Sequence, residues 1–187
     1  MDIHEAFSKL ASHMIQGMMT HENFANYYDF LGLKGYKKCH EYHFIDETCN
    51  YRQVCKYYIN HYDKIIPKTQ FSEPSVIPES WYNHVRQDVD TATIQNAVKD
   101  GLDKWEQWET QTKELYEQLY IEAMNMGEVA AADFINSFVG DVDCELKKVK
   151  RYKLEKKASG YNISDIIQEQ HKKHDKYDEK LHTVLYE

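Results

Sequence analysis

Apolar residues recur along this chain at alternating steps of three and four, the spacing of one face of an α-helix. Phe7, Leu10, Met14, Gly17, His21, Phe24, Tyr28 and Leu31 form the first such stripe. It predicts a helix from about His4 to Leu31, closed by Gly32, which can take a left-handed cap. A second helix, about Gly35 to Lys64, follows across a connection so short that the two must lie antiparallel. The third runs from about Thr93 to Met126, with Asp90 or Thr91 as its cap and Gly127 as its stop. The fourth runs from Glu128 or Val129 to about Ala158. Gly160 then interrupts, and Ser164 is the expected cap of a shorter, strongly charged fifth helix, about Asp165 to Leu185. Between the second and third helices, "PKTQFSEPSVIPE" holds all three prolines, Pro67, Pro74 and Pro78, and reads as an extended link. It continues through "SWYNHVRQDVDT", which has room for a short helical turn. A link of that length can cross a whole bundle, so the third helix need not be antiparallel to the second.

The stripes also show which polar residues share a face with the core. The third helix carries Val98, Leu102, Trp105, Glu109, Thr112, Tyr116, Leu119, Ala123 and Met126. Glu109 is thus an acid on an otherwise largely apolar face, where a carboxylate is costly unless paired or metal-bound. The second helix offers two faces. One is mostly polar: Tyr36, His40, His43, Glu47, Asn50, Val54, Tyr57, His61. The other is more apolar: Phe44, Tyr51, Cys55, Tyr58, Tyr62. Periodicity leaves open which one turns inward. On the fourth helix Ala132, Ile135, Val139, Val142, Leu146 and Val149 form the core stripe, with Glu145 on its flank.

Composition narrows the class to all-α. With 187 residues the chain suits one domain and can bury a core of useful size. Seven glycines and three prolines leave long helices unobstructed. Aromatic residues make up 13% of the chain, which with the regular periodicity argues against disorder despite a mean hydropathy of −0.76. The net charge of −8 disfavours nucleic acid as a partner and favours cations. No apolar run is long enough to span a membrane. The N-terminal "MDIHEAFSKL" lacks the apolar core of a secretory leader. Cys39, Cys49, Cys55 and Cys144 form no CxxC pair. Reduced thiols in the cytoplasm are expected.

"EYHFIDETCNYRQ", residues 41–53, places His43, Asp46 and Glu47 at helical spacing and then Asn50, one turn on, where a helix-borne Glu-x-x-His pair would have its histidine. From these residues outward the chain resembles the ferritins, bacterial non-haem ferritins most of all. "GLKGYKKCHEYHFIDETCNYRQ" looks like that family's first inter-helix turn and the ligand-bearing part of its second helix. "IPKTQFSEPSVIPE" is similar to the start of its long crossover. "MGEVAAADFINSFVGDVDCEL" resembles the junction of its third and fourth helices, with the family's Asp-Phe at Asp133–Phe134. The matches span about residues 7–155, and residues 80–92 look like extra length.

The resemblance implies a ferritin-like four-helix bundle over residues 1–160, with a C-terminal helix, 161–187, packed on or beside it. It implies Fe(II) binding, oxidation at a dinuclear centre and storage of ferric mineral in a shell, built from this chain alone or with a ferritin homologue. Carried over residue by residue, Glu47 matches the bridging carboxylate of the family's second helix. Glu109 matches the ligand of its third, and Glu145 matches an acid serving an accessory third iron site. The family's histidine falls on Asn50, its first-helix glutamate on Met14 and its fourth-helix glutamine on Val142. A thioether or an amide is a poor substitute toward iron. Iron binding with weakened ferroxidase activity is therefore one expectation, and a metal-free structural or interaction protein of the same fold is the other. A shift of one helical turn would bring His13, His21 or His40 into the site. The basic stretch "ELKKVKRYKLEKK" reads as an exposed helix end, and His171, His174 and His182 as part of a solvated face.

Overall fold

The computed structural model describes residues 1–66 and 76–186. Pro67 and Pro74 lie outside the described residues. Five α-helices make up the fold, and among the described residues there is no strand: α1 (Ile3–Phe30), α2 (Lys34–Tyr62), α3 (Thr91–Asn125), α4 (Val129–Ala158) and α5 (Ile163–Tyr186).

Local chemistry sets their ends. The Asp2 carboxylate accepts from the backbone N–H of Glu5, whose side chain accepts from that of Asp2, a reciprocal capping box. Asp90 caps α3 by accepting from both the amide and the hydroxyl of Thr93, each at 2.7 Å. Gly32 and Gly127 adopt φ of 76° and 77°. Each lets the following amide reach back to the preceding helix: Leu33 N–H to Tyr28 O, 2.8 Å, and Glu128 N–H to Ala123 O, 3.0 Å. This is the Schellman closure. At α5 the cap is Asn162, not Ser164: the Asn162 side chain accepts from the amide of Ser164 at 2.8 Å. The extension between α2 and α3 holds two short 3₁₀ turns, Glu79–Asn83 and Arg86–Asp88.

The buried apolar residues fall into two clusters. One contains Phe7, Leu10 and Met14 of α1, Val54 and Tyr58 of α2, Tyr116 and Leu119 of α3, and Ile135 and Val142 of α4. The other contains Phe24 and Tyr28 of α1, Tyr36 and Cys39 of α2, Leu102 and Trp105 of α3, and Val149 of α4. Thus α1 and α4 run from the first cluster to the second, and α2 and α3 run the other way. Two consecutive helices in the same direction require the chain between them to return along the bundle, and the described stretches 63–66 and 76–90 belong to that return. Trp81 anchors it, stacking on Tyr27 at 4.0 Å and meeting Phe24 edge-on. The helix α5 lies at the second cluster's end, contributing Ile166 and Tyr177. Its backbone comes so close to α2 that a Cβ at Gly35 would overlap the Gln170 carbonyl.

Every residue of the α1 stripe is buried. On α3 the stripe holds as far as Ala123. Met126 is 37% exposed, because α3 stops at Asn125 and the Gly127 turn carries the chain outward. On α4, Val139 is only half-buried, and Phe138 takes the core position instead. On α2 the polar face turns inward: His40 and His43 are buried, and the more apolar face supplies only Tyr58 to the core.

Candidate functional site

Between the two apolar clusters lies a polar belt one to two turns deep. Each bundle helix contributes: Gly17, Thr20 and His21 from α1; His40, His43 and Glu47 from α2; Glu109 and Thr112 from α3; Glu145 and Lys148 from α4. Two groupings can be distinguished within it.

The first is a pair of acids. Glu109 is 5% exposed, and its Oε1 accepts from the Trp105 indole N–H at 2.8 Å. Burial pushes its carboxyl up to about 8, against the lowering effect of that hydrogen bond, and the nearby Glu145 charge adds to the rise. Glu47 is raised well above the usual carboxylate range, by burial first and by Glu109 second. Its Oε2 is buried with no hydrogen-bond partner among the described residues. Gly17 makes room for it: a Cβ there would stand 2.8 Å from Glu47 Oε1. Burial, then Glu47 and Glu109, push the Tyr116 phenol up as well, so its hydroxyl stays neutral. The buried Glu109 carboxyl, the half-buried Glu47 and a phenol thus share one electrostatic environment, and one enclosed oxygen of Glu47 has no partner among the described residues. Asn50, one turn beyond Glu47, is half-buried, and Met14 is fully buried on α1.

The second grouping is built of imidazoles. His21 and His40 are linked Nδ1 to Nδ1 at 3.0 Å, and the His21 ring stacks on those of His40 and His43. His40 also stacks on Phe24 at 4.6 Å, and the edge or face of Trp105 meets both His40 and His43. Burial lowers the pKa of all three, with the Lys148 charge contributing; His21 falls to about 3. They are neutral rings packed as aromatics. His13 is separate. It stacks on Trp108 at 4.6 Å and contacts Thr112 Oγ1 through Nε2 at 2.8 Å. The Thr112 hydroxyl donates to the Trp108 carbonyl, so His13 Nε2 must be the donor to Thr112. Burial lowers this histidine to about 4.

Lys148 stands at the edge of the imidazole cluster. Its ammonium donates to Glu145 Oε2 at 2.9 Å and lies 3.3 Å from His43 Nε2. The structure therefore sets Glu145 against a lysine, at the flank of the belt. Reading "ELKKVKRYKLEKK" as exposed missed this residue, and also Lys156, which is buried and paired with Asp165 and Glu169. A signal was present: Lys148 is three residues from Glu145 and adjacent to Val149 of the core stripe. His171 and His182 are exposed. Among the described residues, no three His, Cys, Asp or Glu side chains converge to hold a metal ion.

No protein-family profile matches the chain, and no curated protein matches it in sequence. Solved structures match over nearly the whole length. A humanized archaeal ferritin superposes with a TM-score of 0.75 at 14% identity, covering 92% of this chain and 94% of that one. An open-pore ferritin from the hyperthermophilic archaeon Archaeoglobus fulgidus gives the same values. An engineered closed form of that ferritin gives 0.76, again at 14% identity, with the same coverage. The chain has the ferritin fold. No helix among the described residues is long and apolar enough to cross a membrane.

Proposed function

We propose that this chain is a ferritin-like iron-binding and iron-storage protein, a subunit of a closed homo-oligomeric shell. In this reading Glu47 and Glu109 hold Fe(II) between α2 and α3, and oxidation at that position is weak. The observation that carries the reading is the unpartnered, buried Glu47 oxygen beside a second buried acid. An uncompensated carboxylate of this kind is expensive, and a hard cation with oxygen ligands offsets the cost. The donor set is thinner than two irons require. Met14 supplies a thioether and Asn50 an amide, so a second ion would lack a carboxylate and an imidazole. His13, His21 and His40 do not replace them, being committed to stacking and hydrogen bonds. Glu145 as an accessory ligand is weakened by its ion pair with Lys148.

Bound iron must displace protons, because Glu109 titrates near 8 and Glu47 is raised too. Anaerobic equilibrium dialysis against Fe(II) is therefore expected to show binding that tightens from pH 6.5 to pH 8.5. The Glu47→Gln, Glu109→Gln double variant should lose at least tenfold in affinity. Unchanged binding in that variant would move the site elsewhere. The second reading, a metal-free bundle serving as a structural or interaction protein, draws support from the lack of a three-ligand cluster among the described residues. It predicts no Fe(II) binding to the wild type at any pH.

A further inference from the structure

Lys148 has the surroundings of a bound cation. Its ammonium donates to Glu145 Oε2 at 2.9 Å and meets His43 Nε2 at 3.3 Å. The faces of Trp105 and Tyr177 lie 5.9 and 5.8 Å from it, within cation–π range. The carboxylate of Asp46 contributes to the same field. An ammonium has only N–H groups to offer, so the His43 Nε2 that faces it at 3.3 Å must carry its lone pair. That is the atom, in the protonation state, that a metal would take.

We propose that His43 and Glu145 form a divalent-metal site whose built-in occupant is the Lys148 ammonium, which keeps the site closed to metal in the native protein. The geometry fits. His43 Nε2 and Glu145 Oε2 are 3.7 Å apart. Two donors each about 2.1 Å from one zinc-like ion subtend roughly 120° at that separation, wider than tetrahedral by an amount that a donor shift of about 0.3 Å closes. One imidazole and one carboxylate favour borderline first-row ions such as Zn(II) and Co(II) over softer or larger ones. The tethered ammonium and a free dication cannot occupy the same point between these donors. The ammonium is present at very high effective concentration and satisfies both donors. The consequence is selectivity: metal is kept away from the histidine cluster. This inference stands whether or not that pair binds iron.

The test uses the full chain and Co(II). Lys148→Met keeps the aliphatic stem and removes the charge. It should bind one Co(II) more per chain than the wild type, with visible absorption bands, at least tenfold more tightly than any His43-dependent binding in the wild type. Adding His43→Ala to Lys148→Met should abolish that extra equivalent. A Lys148→Met protein with native far-UV circular dichroism and no extra equivalent would overturn the proposal. So would an extra equivalent that survives His43→Ala. A second measurement needs no variant. Wild-type crystals soaked in Zn(II) should show no anomalous peak between His43 and Glu145. A peak about 2.1 Å from His43 Nε2, with Lys148 swung away, would refute it. If the Glu47–Glu109 reading alone fails, the wild type binds no metal there but the Lys148→Met increment remains.

Discussion

At the scale of single residues, the interior acids dominate the physics. Glu109 is fully enclosed, and its carboxyl is pushed from an ordinary value near 4.5 up to about 8. Between those two values the folded chain holds a proton that the unfolded chain has released. Stability then falls as pH rises. The contribution of the protonated acid is complete below about 4.5 and is lost by about pH 8, an effect of roughly 4–5 kcal/mol for a shift of this size. Glu109→Gln keeps an oxygen for the Trp105 indole and removes the titration. We expect it to stabilise the metal-free protein by a few kcal/mol at pH 8 and to be nearly neutral at pH 4.5. Chemical denaturation at the two pH values measures this. Equal effects at both would mean that Glu109 is ionised in the fold. The same substitution should weaken iron binding, so a gain in stability and a loss of affinity are coupled at one position.

At the scale of elements, the helices were legible to within a residue or two, because sparse Gly and Pro punctuate long periodic runs. The stripes of α1 and of most of α3 could be read directly, since apolar side chains there coincide with burial. The face of α2 could not. His40 and His43 count as polar in a sequence pattern, yet as neutral rings stacked on Phe24, His21 and Trp105 they pack as aromatics. Lys148 escaped notice for the opposite reason: a run of lysines reads as solvated, while its partners Glu145 and His43 come from α4 and from the distant α2. The burial of Glu109 could be read from its stripe, whereas Glu47 stands out only through its place in the ferritin-like motif. The close approach of α5 to α2 was not, and it makes a prediction of unusual sign. Gly→Ala near a helix start ordinarily gains up to about 1 kcal/mol. At Gly35 the new methyl would strike the Gln170 backbone, so we expect a loss of about 1–3 kcal/mol. Limited proteolysis should then cut within α5 first, and resistance equal to the wild type would show that the two helices separate without cost. The positions where the resemblance finds no matching ligand also belong to elements: Met14 on α1, Asn50 on α2 and Val142 on α4. Met14→Glu and Asn50→His together should raise the rate of Fe(II) oxidation seen by stopped-flow absorbance, and either alone should do less. No gain in a folded double variant would mean that the bundle does not position two irons.

At the scale of the molecule, surface rather than interior carries the argument. One end of the bundle leaves large apolar side chains in solvent: Ile121 and Met124 of α3, Met126 in the turn, and Val129 at the start of α4 are between 37% and 55% exposed. Ile59, near the end of α2, is 48% exposed and lies toward the same end, since α2 and α3 run in parallel. A lone soluble subunit rarely leaves so many apolar groups together, and a contact between copies would cover them. Storage of a mineral has the same requirement, because a single bundle of four helices encloses no space for one. Multi-angle light scattering is therefore expected to give a mass many times the 22.3 kDa of one chain. Ile121→Glu with Val129→Glu places like charges in the proposed contact and should shift that mass toward the single chain, while leaving the helical content intact, since both side chains project outward. Iron binding at Glu47 and Glu109 should survive in the dissociated chain, because both acids lie inside one bundle, but mineral should not accumulate. A wild-type mass near that of one chain at micromolar concentration would remove the shell. It would leave a bundle that binds iron without storing it.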